Sequence, residues 1–149
     1  MSSGDDISKV TSLVKRILEE NHLETLAEYW DLCRELVEGL PVRAFYVYID
    51  GSYANLAILT DKMIVDIVAD EDDETLDDLA VIVMKSIAEV HFRAGAMETV
   101  PDSEEAQLIL VLSMVGATDT GPYWIAETDA EREHLTRFGK ALMNAVNAL

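Results

Sequence analysis

The amino-acid sequence predicts an α+β protein made of two N-terminal helices, a run of antiparallel strands and one closing helix. Three observations lead to this prediction. Apolar residues recur at helical spacing before residue 40, residues 43–69 are rich in β-branched and aromatic residues, and residues 129–148 return to helical spacing. A chain of 149 residues fits one domain, so we expect a single domain over residues 1–149.

The first segment, residues 6–40, is predicted to form a helical pair. One face of the first helix carries Ile7, Val10, Val14, Ile17 and Leu18. The second helix has a stripe of Leu23, Leu26, Trp30, Cys33 and Val37. Gly39 and Pro41 are stop signals for this helix. One kinked helix over residues 6–38 is the alternative.

Three antiparallel strands follow, over about residues 43–50, 53–60 and 63–69. The dipeptide Asp50-Gly51 is a hairpin signal, because a type I′ turn needs positive φ and glycine adopts it without steric cost. A second turn is predicted at "TDK", residues 60–62.

Residues 76–94 fit two descriptions. As a helix, the segment would place Leu76, Leu79, Ala80, Val83, Ile87 and Val90 on one face. That helix would leave Val81, Ile82 and Phe92 on its polar side. With Ile87 as the main exception, polar residues from Lys85 to Arg93 alternate with apolar ones. We favour strand, and the helix stays open.

The C-terminal part is predicted to contain two strands and a helix. "AQLILVLSMVG" has the apolar run of a central strand, and "YWIAET" returns as another. Thr128 and Glu131 have the spacing of a capping box. They begin a helix over residues 129–148 whose apolar face is Leu135, Phe138, Leu142 and Val146.

Three stretches resemble bacterial members of the pleckstrin-homology-like (PH-like) superfold: "YANLAILTDKMIVDIV", "SIAEVHFRAG" and "GPYWIAETDAEREHLTRFGKALMNAV". The resemblance covers residues 43–149. It implies an antiparallel split barrel, or strongly bent sheet, capped by the C-terminal helix, with the N-terminal helical hairpin outside the common core. It also implies a non-enzymatic interaction or scaffolding module. If residues 76–94 are helical, the chain resembles instead the small, acidic, dimeric α/β-sandwich chaperones of type III secretion. An enzyme on this scaffold is the second alternative.

The formal charge of −18 limits the partners. Such a field repels nucleic acids and anionic membranes, so we expect neither to bind. The phosphoinositide-binding PH-like domains use basic residues near the first hairpins, and here no Lys or Arg lies between Arg43 and Lys62. We therefore expect no lipid-headgroup binding. The start, "MSSGDDISKV", lacks the pattern of a signal peptide, so we expect a cytoplasmic protein.

No catalytic, cofactor or metal site is predicted. The acidic stretch "ADEDDETLDD", residues 69–78, fails as an EF-hand because Thr75 and Val81 stand where the Gly and the bidentate Glu are needed. The histidines His22, His91 and His134 are scattered. The lone cysteine, Cys33, is expected to be a buried small hydrophobe.

The interface prediction rests on the stripe of the second helix. Leu23, Leu26, Trp30 and Val37 need a cover, and a PH-like barrel has its own core. We therefore expect these helices to pack on the outer face of the barrel, near Asp66, or to pair with a second chain in a homodimer with Trp30 near its centre. Asp66, inside the apolar strand "MIVDIV", is expected on the outer face, either partly wetted or covered by the N-terminal helices, and needs a polar partner if buried.

Overall fold

A computed structural model describes residues 12, 15–16, 19, 24–73, 75, 77–95, 107–117 and 121–149, without the side chains of residues 24–27 and 94–95. Its contacts divide the chain into two compact units, Met1–Ile82 and Val83–Leu149. The elements in chain order are helix α1 (Glu24–Val37), strands β1 (Val42–Asp50), β2 (Tyr53–Thr60), β3 (Met63–Asp70) and β4 (Asp78–Val83), a 3-10 turn (Met84–Ser86), strands β5 (Ile87–Gly95), β6 (Gln107–Met114) and β7 (Tyr123–Ala126), and helix α2 (Asp129–Asn147).

The first unit contains a four-stranded sheet, of which one residue, Val83 at the end of β4, belongs to the second unit. Its strand order, β1-β2-β3-β4, follows the chain. The hairpin between β1 and β2 closes where Asp50 pairs with Tyr53, and Gly51 has the positive φ of 61° that the turn needs. At the next turn, Thr60 Oγ1 accepts hydrogen bonds from the backbone N–H groups of Lys62 (3.2 Å) and Met63 (3.1 Å). The observed bounds of β1, β2 and β3 confirm the three predicted strands and the two turns between them.

Helix α1 completes the hydrophobic core of this first unit. Trp30, Cys33 and Val37 are 6%, 0% and 1% exposed and belong to one cluster with side chains of β2 and β3. The sheet members of that cluster include Ala54, Leu56, Ile58, Val65, Ile67 and Ala69. The expectation that the core is complete without the N-terminal helices is therefore wrong for the second helix. A sheet of 8-residue strands leaves this apolar face open unless a helix covers it.

The second unit pairs a three-stranded sheet, in the order β5-β6-β7, with the closing helix. Leu135, Phe138 and Leu142 of α2 are buried, and the Phe138 ring lies edge-on to Trp124 of β7, with centroids 5.6 Å apart. The predicted capping box is present. Thr128 Oγ1 accepts a hydrogen bond from the Glu131 N–H (3.1 Å), and Glu131 Oε1 accepts one from the Thr128 N–H (2.9 Å).

Strands replace the helix that residues 76–94 could have formed. β4 and β5 occupy this segment on either side of the 3-10 turn, which confirms the favoured interpretation. The alternative fold, the type III secretion chaperone-like sandwich, depended on a helix here and is corrected by this finding. A helix would have exposed Ile82, which is 7% exposed in β4.

The architecture is α+β, as the sequence predicts. An antiparallel four-stranded meander, a three-stranded sheet and a C-terminal helix follow one another, and the part of the chain that is described contains two sheets and no closed barrel. Ser12, Lys15, Arg16 and Glu19 are helical and exposed, but the rest of residues 1–23 lies outside the described positions, so the N-terminal hairpin stays a prediction. The single domain over residues 1–149 stays a prediction as well. Among the helices that are described, none has the length and apolarity to cross a bilayer.

Candidate functional site

A cleft of about 300 Å³ opens in the second unit between β5 and the last turns of α2. It is lined by Ala88, Glu89, Val90, His91, Met143, Val146 and Asn147. Because four consecutive residues of one strand line it, although strand side chains alternate between two faces, the cleft runs along the backbone edge of β5. We call this feature the β5–α2 cleft.

The cleft exists because of how β5 meets the closing helix. An added Cβ at Gly139 would lie 2.2 Å from Cζ of Phe92, so the ring of Phe92 rests directly on the helix at this point. Met143 and Val146 lie four and seven residues further along the same helix face. The helix is thus held against β5 near Gly139, and the cleft opens one turn beyond.

The strand side of the cleft is an open sheet edge. β5 pairs with β6 and ends the strand order of its sheet, so its other side has no strand partner among the described residues. The register shifts between Ile87 and Glu89, which marks a β-bulge around Ala88. An open edge presents unpaired N–H and C=O groups to any extended segment that reaches it.

The polar groups stand at the rim of the cleft. His91 Nε2 lies 3.0 Å from Glu89 Oε2, and the two side chains are 43% and 67% exposed. Water therefore screens this pair strongly. The half-buried lining is contributed by Val90, Met143 and Val146, together with His91. The cleft can thus hold an apolar side chain and offer polar contacts around it.

Of the predicted interface residues, Trp30 and Val37 lie outside this cleft. Trp30 and Val37 are buried in the core of their own chain, Leu23 lies outside the described residues, and so does the side chain of Leu26. The sheet of the first unit covers the described part of the stripe, so the stripe needs no second chain as its cover. The homodimer itself stays a prediction.

Asp66 is half-buried and lies on the sheet face opposite helix α1. Its neighbours Val65 and Ile67 point toward the helix, and strand alternation turns Asp66 the other way. Of the two environments expected for Asp66, cover by the N-terminal helices is wrong for α1, and a partly wetted outer face agrees with its half-burial. Asn55, 6% exposed, donates from Nδ2 to Asp66 Oδ1 (2.7 Å) and to the Ile67 carbonyl (3.0 Å). This satisfies the expected need for a polar partner.

In the acidic stretch, Asp70 and Asp77 use their carboxylates to bind neighbouring backbone N–H groups. Asp70 Oδ1 accepts hydrogen bonds from Ser52 Oγ (2.7 Å) and from the Asp72 N–H (2.9 Å), and Asp77 Oδ1 accepts one from the Asp70 N–H (2.9 Å). The Ser52 hydroxyl is the main cause that lowers the pKa of Asp70. Over the described positions, no group of three or more His, Cys, Asp or Glu side chains is placed to hold a metal ion.

The other titratable residues singled out from the sequence are Cys33 and the three histidines. Cys33 is fully buried in the first core, and this burial raises the pKa of its thiol to about 12, as expected for a structural cysteine. His91 lies at the cleft, His134 is half-buried on α2, and His22 is outside the described residues. No local pattern connects His91 with Met143 and Val146, because they lie more than 50 residues apart and meet only through the packing of β5 on α2.

No family model matches the chain, and no curated protein matches it. One solved structure is similar: a DUF1696 family protein with a pleckstrin-homology domain from Shewanella loihica PV-4. The identity is 12% and the TM-score is 0.44, over 78% of this chain and 92% of that chain.

Proposed function

We propose that this chain is a non-enzymatic protein-interaction module that binds an extended segment of a partner protein at the β5–α2 cleft. The observation that carries the proposal is the combination of an open strand edge with a 300 Å³ cleft in one place. The peptide backbone would add a strand beside β5, and one apolar side chain would enter the cleft against Val90, Met143 and Val146. Strand addition of this kind takes affinity from main-chain hydrogen bonds and specificity from the side-chain pocket.

The cleft suits a side chain better than a reaction. Its volume is at the low end of the range of about 300–1,000 Å³ for small-molecule sites. Its ionisable pair, His91 and Glu89, stands in solvent, whereas general acid–base chemistry relies on groups whose surroundings exclude water and tune their protonation. We infer from this chemistry that the pair contributes contacts at the rim and not catalysis.

The charge of the chain decides which partners are proposed. A formal charge of −18 opposes phosphate backbones and anionic headgroups, so the proposed partner is a protein, either another chain or a second copy of this one. A cytoplasmic location remains part of the proposal.

The test is selection of peptides from a displayed random library against the full chain, followed by fluorescence anisotropy on the selected peptides. Val146→Glu places a charge in the cleft and should weaken binding at least about tenfold, which is 1.4 kcal/mol. Val115→Glu is the control, because Val115 is 67% exposed in a turn outside the cleft, and it should leave binding unchanged.

The second measurement is hydrogen exchange of the backbone amides of β5. A bound strand should protect those backbone amides of β5 that point away from β6. If the selected peptides bind Val146→Glu as tightly as the parent, or leave the β5 amides unprotected, the cleft is not the docking site and the proposal is wrong.

A further inference from the structure

The outward side of helix α1 carries two exposed leucines. The orientation of the helix is fixed, because Trp30, Cys33 and Val37 are buried against the sheet of the first unit. Leu32 and Leu36, one helical turn apart, are 54% and 43% exposed. Among the described residues neither leucine belongs to the buried cluster on the other side, so that cluster does not account for leucine at these two positions.

An acidic row runs beside these leucines. Glu28, Asp31 and Glu35 are exposed and spaced three and four residues apart, so each is a neighbour of the next on the helix surface. Like charges at this spacing destabilise a helix. Arg34 is the single basic residue of α1, and within the described residues none of the three acids forms an ion pair.

The leucines and the acids share one surface. Leu32 lies four residues after Glu28 and three before Glu35, and Leu36 follows Leu32 by one turn. The helix therefore exposes apolar area and three like charges in the same place, with Arg34, three residues after Asp31, as its one basic residue. A partner helix with an apolar stripe and a flank of Lys or Arg would cover the exposed leucines and offset the repulsion between the acids.

We propose that this face, defined by Glu28, Asp31, Leu32, Glu35 and Leu36 and called the α1 outer face, docks a cationic amphipathic helix of another protein. The partner's apolar stripe covers the two leucines, and its basic residues lie against the acidic row. Charge complementarity favours this occupant over a second copy, because a second α1 brings the same acidic row and one basic residue, Arg34, instead of a basic flank. The proposal is independent of the β5–α2 cleft.

If the α1 outer face docks a cationic helix, neutralising its acids should weaken binding without lowering stability. Asp31→Asn with Glu35→Gln relieves repulsion in the free protein, so its melting temperature should not fall. The same pair removes charge that the partner uses, so binding should weaken. If the acids instead stabilise the helix, neutralising them would lower the melting temperature. Binding of a cationic helix would then weaken no more than it does after the control charge change.

The probe is a pair of synthetic peptides of about 14 residues, the length at which isolated helices become possible. Both contain the same numbers of Leu and Lys; one places Leu at i, i+3, i+4 and i+7, and the other is scrambled. Fluorescence anisotropy with the full chain compares them at about 0.05 and 0.3 M salt, between which Debye screening changes markedly.

The patterned peptide should bind at least about tenfold more tightly than the scrambled one, and both should weaken with salt. Leu32→Ser with Leu36→Ser should abolish the difference, whereas Val115→Ser with Leu149→Ser, which removes two exposed apolar side chains elsewhere, should retain it. Asp31→Asn with Glu35→Gln should weaken the patterned peptide more than Asp72→Asn with Asp78→Asn, an equal charge change at exposed positions. The proposal is wrong if the two peptides bind equally tightly. It is also wrong if either control pair changes binding as much as the α1 pair to which it is matched.

Discussion

Substitution of Gly139 by alanine sets helix propensity against packing. Gly139 lies inside α2 and is buried, and an added Cβ would stand 2.2 Å from Cζ and 2.9 Å from Cε1 of Phe92. Carbon atoms in favourable contact are about 3.5–4.0 Å apart, so the Phe92 ring has to move by more than about 1 Å. The ring tip is the far end of a side chain, so it can move, but only by leaving its place between β5 and the helix.

The two free-energy terms have opposite signs. Alanine in a helix interior is favoured over glycine by about 1 kcal/mol. Overpacking of a well-packed contact costs about 1–3 kcal/mol, because side chains leave their preferred rotamers. We expect packing to win, with Gly139→Ala lowering the free energy of unfolding by up to about 2 kcal/mol.

A double-mutant cycle in urea tests this reasoning. In the Phe92→Ala background the obstructing ring is gone, so Gly139→Ala should stabilise the protein by about 1 kcal/mol. The control is Asn144→Ala, an exposed position of the same helix, which should stabilise by a few tenths of a kcal/mol in both backgrounds. If Gly139→Ala stabilises the parent as much as it stabilises Phe92→Ala, the ring does not restrain this position and the account of the cleft is wrong.

Three further outcomes are expected in the first unit. Trp30→Ala should cost about 3–5 kcal/mol in urea unfolding, because the ring is 6% exposed; a loss under 1 kcal/mol would mean that α1 does not complete this core. Cys33 should resist a soluble disulfide reagent in the folded chain and react on unfolding, since burial raises the pKa of its thiol; rapid native labelling would contradict this. Asp61→Asn should cost less than about 1 kcal/mol at neutral pH, because its bonds to Arg43 are exposed. Those bonds lower the pKa of Asp61, so the loss should vanish as pH falls through that pKa; a loss that persists in acid would assign it to another cause.

The strands of the first sheet could be predicted from sequence because their limits are set locally. Gly51 supplies the positive φ of one turn, and the Thr60 hydroxyl organises the next through hydrogen bonds to residues two and three positions away. The start of α2 was predictable for the same reason, since its capping box lies within four residues. Where a boundary depends on neighbours in the chain, the sequence contains the information.

Features that depend on distant packing were not predictable in this way. The apolar stripe of α1 showed that Trp30 needs a cover, but nothing local indicated that the cover is the chain's own β2 and β3. Strand β2 is buried on both faces, so its sequence could not show which face meets the helix. The β5–α2 cleft also escaped prediction, since its outline depends on Gly139 allowing Phe92 to lie on the helix.

The distribution of charge separates the two proposed surfaces physically. Of the 29 acidic residues, 19 lie in residues 1–82, which include helix α1, whereas the cleft belongs to residues 83–149 and has apolar side chains and strand backbone as its main contacts. Hydrogen bonds to a strand edge and apolar burial are weakly screened by ions, while contacts between exposed charges are strongly screened. Peptides selected for the cleft should therefore keep their affinity between about 0.05 and 0.3 M salt, and cationic helices on the α1 outer face should lose theirs. Equal salt dependence at the two surfaces would show that the net charge of −18 governs both, and would remove the distinction between them.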